Sequence, residues 1–92
     1  MMGKTEIREN DGMIFVYPRP RNVRLWMANT PFSLDAIFVD ENGRILKIAH
    51  RLQPYSRRWV SSGKPAKWVL EIAGGQAMRL GIAAGDRVRL PT

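Results

Sequence analysis

Apolar residues in this chain occur in short runs separated by Gly, Pro, Asn and Asp, the punctuation of a strand-rich sequence. Gly12 to Tyr17 (GMIFVY) is continuously apolar and stops at Pro18, which reads as a strand buried on both faces. Pro18-Arg19-Pro20-Arg21-Asn22 reads as a loop, because neither proline has an N–H to give to a ladder. Val23, Leu25 and Met27 then alternate with Arg24 and Trp26, the period of a second strand with one inward face. Asn29-Thr30-Pro31 ends it.

Leu34 to Asp40 (LDAIFVD) and Arg44 to Ala49 (RILKIA) flank Glu41-Asn42-Gly43, and Asn-Gly between two β-type runs predicts a hairpin. His50 to Arg58, polar and basic around Pro54, reads as a long connection, and Trp59 to Ser61 as a short strand. Beyond Gly63-Lys64-Pro65, the run Lys67 to Ile72 (KWVLEI) is a further strand. Good helix formers from Gly75 to Leu80, with Gly81 where a left-handed cap is needed, predict one short helix of about two turns. Ala84-Gly85-Asp86 reverses the chain, with Asp86 expected to cap the turn. Asp86 to Leu90 (DRVRL) reads as a closing strand with a basic outer face.

This pattern predicts a mainly β fold: a compact barrel-like or sandwich domain of about six short strands, with one short helix near residues 75–80. Residues 1–92 form one domain, with 1–10 a flexible or N-terminal edge segment. The length is near that at which a single core becomes adequate, and the 45% hydrophobic and 25% charged residues are ordinary globular values.

The chain has no cysteine, so disulfides, zinc-thiolate sites and thiol nucleophiles are excluded. No stretch approaches the roughly 20 apolar residues of a membrane-spanning helix, and the polar start lacks the apolar run of a signal peptide, so the chain is expected to be soluble. Lys and Arg number 15 against 8 acidic residues, a formal charge of +7. Such a field attracts anions of every kind, and the predominance of Arg over Lys suits phosphate and carboxylate.

The segment Leu25-Trp26-Met27-Ala28-Asn29-Thr30-Pro31-Phe32-Ser33-Leu34-Asp35-Ala36-Ile37-Phe38-Val39-Asp40 resembles the signature of domain-of-unknown-function family 192. Gly12-Met13-Ile14-Phe15, Ala66-Lys67-Trp68-Val69-Leu70-Glu71 and Gly81-Ile82-Ala83-Ala84-Gly85-Asp86-Arg87-Val88 resemble three further blocks of that family in order, over about residues 11–90. The resemblance implies a compact β-barrel-like domain, no assigned reaction and an extracytoplasmic setting. Ala28 stands where the family's signature usually has Lys, and the family's N-terminal region, usually an extra strand and an Arg-Gly-Leu-Met-type segment, is expected to be absent before Asp11. A missing strand would leave an open sheet edge, from which a homodimer is expected.

Two clusters carry candidate chemistry. Trp26, Asn29, Thr30 and Asp35 place an aromatic face, an amide, a hydroxyl and a carboxylate around one loop, a set suited to a small polar ligand. The same residues are also what turn capping and packing require. Arg57-Arg58-Trp59 interleaves bases with an aromatic and could hold single-stranded nucleic acid, although a solvated basic loop uses the same residues. His50, the only histidine, reads as solvated. No Gly-x-Ser-x-Gly turn is present, and Ala73-Gly74-Gly75-Gln76 lacks the rest of a phosphate-binding loop, so it reads as a tight strand-to-helix turn.

The expectation is a non-enzymatic binding module for a small polar ligand or an anionic partner, with no cofactor, no metal ligands and no catalytic constellation. A nucleic-acid-binding role through Arg57, Arg58 and Trp59 is the first alternative. A hydrolase-like role for Asp35, which requires it to point inward, is the second.

Overall fold

The computed structural model of the chain describes residues 12–89. Four antiparallel strands, β1 (Met13–Leu25), β2 (Leu34–Val39), β3 (Ile45–Leu52) and β4 (Val60–Ala73), form one open sheet in the order β1-β4-β2-β3, joined by a single-turn helix, α1 (Gln76–Arg79). Among the described residues the expected six strands are therefore four, and in place of a barrel or sandwich they form one open sheet. The N-terminal segment, residues 1–10, lies outside the described residues.

The merging of strands has a physical cause in each case. β1 runs through Pro18 and Pro20, the expected loop, because it is an edge strand with slack register: Tyr17 to Pro20 stand opposite Lys67 alone, between the pairs Val16–Trp68 and Arg21–Ala66. Residues in such a bulge give no ladder hydrogen bond, so the missing amides cost nothing there. A second irregularity sets Val23 opposite Ser62 to Lys64, where Gly63 is left-handed at φ 75°. It joins the two runs expected as separate strands into β4. Asn22 Oδ1 accepts from Ser61 Oγ and Gly63 N, each at 2.9 Å. The buried Ser62 hydroxyl accepts Val23 N at 2.9 Å and donates to Lys64 O at 2.7 Å, so the distorted ladder stays hydrogen-bonded.

The hairpin between β2 and β3 is as the sequence predicts. Asp40 Oδ1 accepts the amides of Asn42 and Arg44, each at 2.9 Å, and Gly43 takes φ 86°, where a Cβ would press on Val88 O. β3 continues through His50 to Leu52, so the connection expected from His50 shrinks to Gln53–Trp59. Among the described residues, the expected closing strand from Asp86 reduces to one antiparallel bridge, Arg44 to Arg87, flanked by Ile45 N to Asp86 O at 2.8 Å and Val88 N to Gly43 O at 2.7 Å, and Leu90 lies outside them. Asp86 Oδ2 does cap the reversal, accepting Ala83 N at 2.9 Å. α1 is shorter than expected, yet it ends as predicted: Gly81 N reaches Met78 O at 3.1 Å and Ile82 N reaches Ala77 O at 3.0 Å, a Schellman closure.

β2 lies between β3 and β4, and all six of its residues are buried. Alternation sends its side chains into two cores. Ala36 and Phe38 pack with Phe15, Val23, Leu25, Ala66 and Val69, and Ile37 and Val39 pack with Ile45 and Ala77. Leu46, Ala49 and Leu52 of β3 also pack against the first core beside residues of β1, although β4 and β2 separate those strands in the sheet. The sheet must therefore curl over that core.

Phe38 is fully buried. Phe38→Ala is expected to destabilise the domain by about 3–5 kcal/mol through lost transfer energy and a residual cavity, read as a lower urea midpoint at unchanged slope.

Candidate functional site

Asp35 shares the face of β2 that carries Ile37 and Val39, and its side chain is fully buried, at 0% exposure. Its Oδ1 accepts the amides of Arg51 at 2.8 Å and Gly75 at 3.0 Å, and its Oδ2 accepts the amide of Ala77 at 2.8 Å. Burial by itself raises a carboxyl pKa. Here the amides of Arg51, Ala77 and Gly75, helped by the charge of His50, outweigh it and hold Asp35 below the ordinary carboxylate range. The two residues flanking this knot have left-handed backbones: Arg51 at φ 50°, uncommon outside glycine, and Gly75 at φ 92°. The strand-to-helix turn thus has an anion at its amides, and that anion is the chain's own Asp35.

A groove of about 600 Å³ opens beside the first core, between β3, the start of β4 and the Gln53–Trp59 loop. Met27, Ala49, Leu52 and Val60 supply apolar lining, while Lys47, His50, Ser56, Arg58 and Ser61 supply polar groups. Lys47 Nζ donates to Ser61 O at 2.8 Å, which leaves two of its three ammonium hydrogens for a ligand. Among the described residues, no carboxylate forms an ion pair with Lys47, Arg58 or Arg24.

At the groove the indoles of Trp26 and Trp59 stack with centroids 4.7 Å apart and planes 1° from parallel. The Arg24 guanidinium lies over Trp59 at 4.7 Å. The two loops behind this stack are tied by backbone bonds, Met27 N to Ser56 O at 3.1 Å and Tyr55 N to Thr30 O at 2.9 Å.

The two sequence-derived clusters are redistributed. Trp26 and Trp59, one from each cluster, come together in the stack. Arg58 and Trp59 line the groove, and Arg57 is exposed next to them. Asn29 is exposed, Thr30 is half-buried and bonds the neighbouring loop through its carbonyl, and Asp35 is turned into the knot, so those three do not line the groove. Lys47 and Arg24 were not singled out by sequence reasoning. Lys47 faces the groove only because β3 passes beside the start of β4, which no local pattern announces. Arg24 did carry a signal, its outward position two residues before Trp26 on an alternating strand. Among the described residues, no group of three or more His, Asp or Glu side chains could hold a metal, and no helix is long and apolar enough to cross a membrane.

The model of family DUF192, described as an uncharacterized ACR family, matches residues 1–90, and the chain belongs to this family. The match begins at residue 1, so the segment before Asp11, expected to lack the family's N-terminal region, lies within the family match. No curated protein matches the chain. A crystal structure of a protein of unknown function from Novosphingobium aromaticivorans DSM 12444 is similar at 42% identity and TM-score 0.85, over 97% of this chain and 64% of that one. A crystal structure from Sinorhizobium meliloti 1021, described as a "putative transcription regulator", is similar at 35% identity and TM-score 0.82, over 94% of this chain and 67% of that one. The chain thus spans about two thirds of the length of these relatives.

Asp35→Ala leaves three amides without their acceptor and is expected to cost about 3 kcal/mol or more in urea unfolding at neutral pH. The ionised carboxylate's contribution is fully present above the ordinary aspartate pKa of about 3.9 and is lost as pH falls through the lower folded-state value. Between about pH 5 and pH 2, the wild type should therefore lose more stability than Asp35→Asn.

Proposed function

We propose that this member of the DUF192 family is a non-enzymatic binding module that holds a small anionic ligand in the groove between β3 and the Gln53–Trp59 loop. The observation that carries this reading is the pair Lys47 and Arg58, without ion-pair partners among the described residues, beside an apolar lining of Met27, Ala49, Leu52 and Val60. Apolar walls with a few convergent polar groups are the usual composition of a ligand site. Trp26 belongs to the rim through its stack on Trp59. Thr30 supports the rim by accepting the Tyr55 amide, and Asn29 stands in the adjoining turn.

The hydrolase-like alternative finds less support. Asp35 does point inward, as that alternative requires. Its two oxygens are held by three backbone donors in a knot that stabilises the charged form, the opposite of what a proton acceptor needs.

A thermal-shift panel of inorganic phosphate, acetate and neutral sugars tests the reading. A ligand present at a hundred times its Kd stabilises by about 2.7 kcal/mol, roughly 10 °C or more for a domain of this size. Phosphate at low millimolar concentration should raise the Tm of the wild type, and the Lys47→Ala/Arg58→Ala double variant should lose that rise. A rise that persists in the variant is general salt stabilisation and counts against the groove, as does no rise in the wild type.

A further inference from the structure

We infer that the ligand of this groove is an amphipathic anion, an acidic head on Lys47 and Arg58 with an aliphatic chain lying along Ala49, Leu52, Val60 and Met27. The inference rests on the groove being the anion site proposed above and adds the chemical class of what fills it. The two cations, without ion-pair partners among the described residues, set the sign of the head, and three features of the groove call for the chain.

The first is the floor. Ala49, Leu52 and Val60 pack against the first core yet stay half-buried, and all three line the groove beside the buried Met27. The groove is therefore a stretch of the first core that the sheet leaves uncovered. Displacing water from such a wall is favourable, and an aliphatic chain does so where a hydrated inorganic anion does not.

The second is size. A water molecule takes about 30 Å³ in the liquid, and inorganic phosphate or acetate is only a few times larger. A groove of about 600 Å³ lies within the range that holds ligands of many atoms. From Lys47 to Leu52 β3 runs about 15 Å, at about 3.3 Å per residue, and residues along this whole stretch line the groove. An elongated molecule charged at one end can reach Lys47 while its chain follows Ala49 toward Leu52.

The third is the rim. The Trp59 ring is already engaged within the protein, stacked on Trp26 at 4.7 Å and overlain by the Arg24 guanidinium at 4.7 Å. A flat aromatic acid or a nucleic-acid base therefore gains no stacking advantage at this rim, whereas a saturated chain needs none. The head has its donors independently of the rim: two ammonium hydrogens remain on Lys47 after its bond to Ser61 O, and the Arg58 fork matches a pair of acidic oxygens.

The test is isothermal titration calorimetry of the whole chain with butyrate, hexanoate and octanoate, with octanol as the neutral control and cinnamate as the flat one. A fully buried methylene tightens binding about fourfold and one lying against an open groove about twofold, so octanoate should bind at least about tenfold more tightly than butyrate. The heat-capacity change should grow more negative along the series, the mark of apolar burial. Octanol and cinnamate should both bind more weakly than octanoate. Lys47→Ala/Arg58→Ala should weaken octanoate by about tenfold or more, since each charged hydrogen bond is worth about that factor. Val60→Thr keeps the shape of the wall but adds a hydroxyl, and it should reduce the gain per methylene. Circular dichroism checks that these variants fold, and Ala49→Ser gives an independent reading if Val60→Thr does not. Octyl phosphate, run in parallel, distinguishes a phosphate head from a carboxylate, and a gain over inorganic phosphate supports the inference as the carboxylate series does.

Affinity that does not rise from butyrate to octanoate, octanol or cinnamate binding as tightly as octanoate, or octanoate binding unchanged in the folded double variant overturns the inference. Phosphate stabilisation through Lys47 and Arg58 with no gain from an added chain overturns it and leaves the small-anion reading standing. Neither effect overturns both.

Discussion

The fold turns on a carboxylate that has been taken out of water. Asp35 sits on a central strand among aliphatic side chains, where an unsatisfied charge would be prohibitively costly. It is tolerated because three amides from two other parts of the chain point at it: Arg51 at the end of β3, and Gly75 and Ala77 around the start of α1. One side chain thereby fixes where β3 ends, how the chain leaves β4 and where the short helix sits. α1 is far too short to be stable alone, so its place depends on this anchoring and on Ala77 entering the second core.

The same economy shapes the surface. Asp35, Asp40 and Asp86 all serve backbone amides at turns, and Glu71 is buried in β4. Much of the chain's limited acidic complement is thus committed to holding the fold together. Among the described residues the basic side chains are more numerous, and all but Lys67 are exposed. Around Trp59 the positive charge is concentrated less by crowding of bases than by the withdrawal of acids to structural posts elsewhere.

What could be read from the sequence was what adjacent residues decide. The Asn42-Gly43 hairpin, the Gly81 helix stop and the Asp86 cap each depend on a few neighbouring backbone angles and were legible on that account. Asp35 was half legible: it has the parity of Ile37 and Val39, which marks an inward position, while its amide partners come from distant parts of the chain. The continuity of β1 through Pro18 and Pro20 was not legible, because local chemistry forbids prolines in a regular ladder and only the interrupted register with β4 reveals the irregular one. The Trp26–Trp59 stack was hidden for the same reason, since the two indoles belonged to separate candidate clusters until the loops behind them were joined.

The prolines of β1 have a consequence for the protein at high concentration. An outer strand with a full row of amides is a template on which another molecule can add a strand, the first step toward a fibril. Among the described residues β1 is an outer strand, and the bulge that Pro18 and Pro20 occupy bends it away from the flat geometry cross-β growth needs. The distortion that obscured the strand in the sequence is thus also a safeguard against self-assembly.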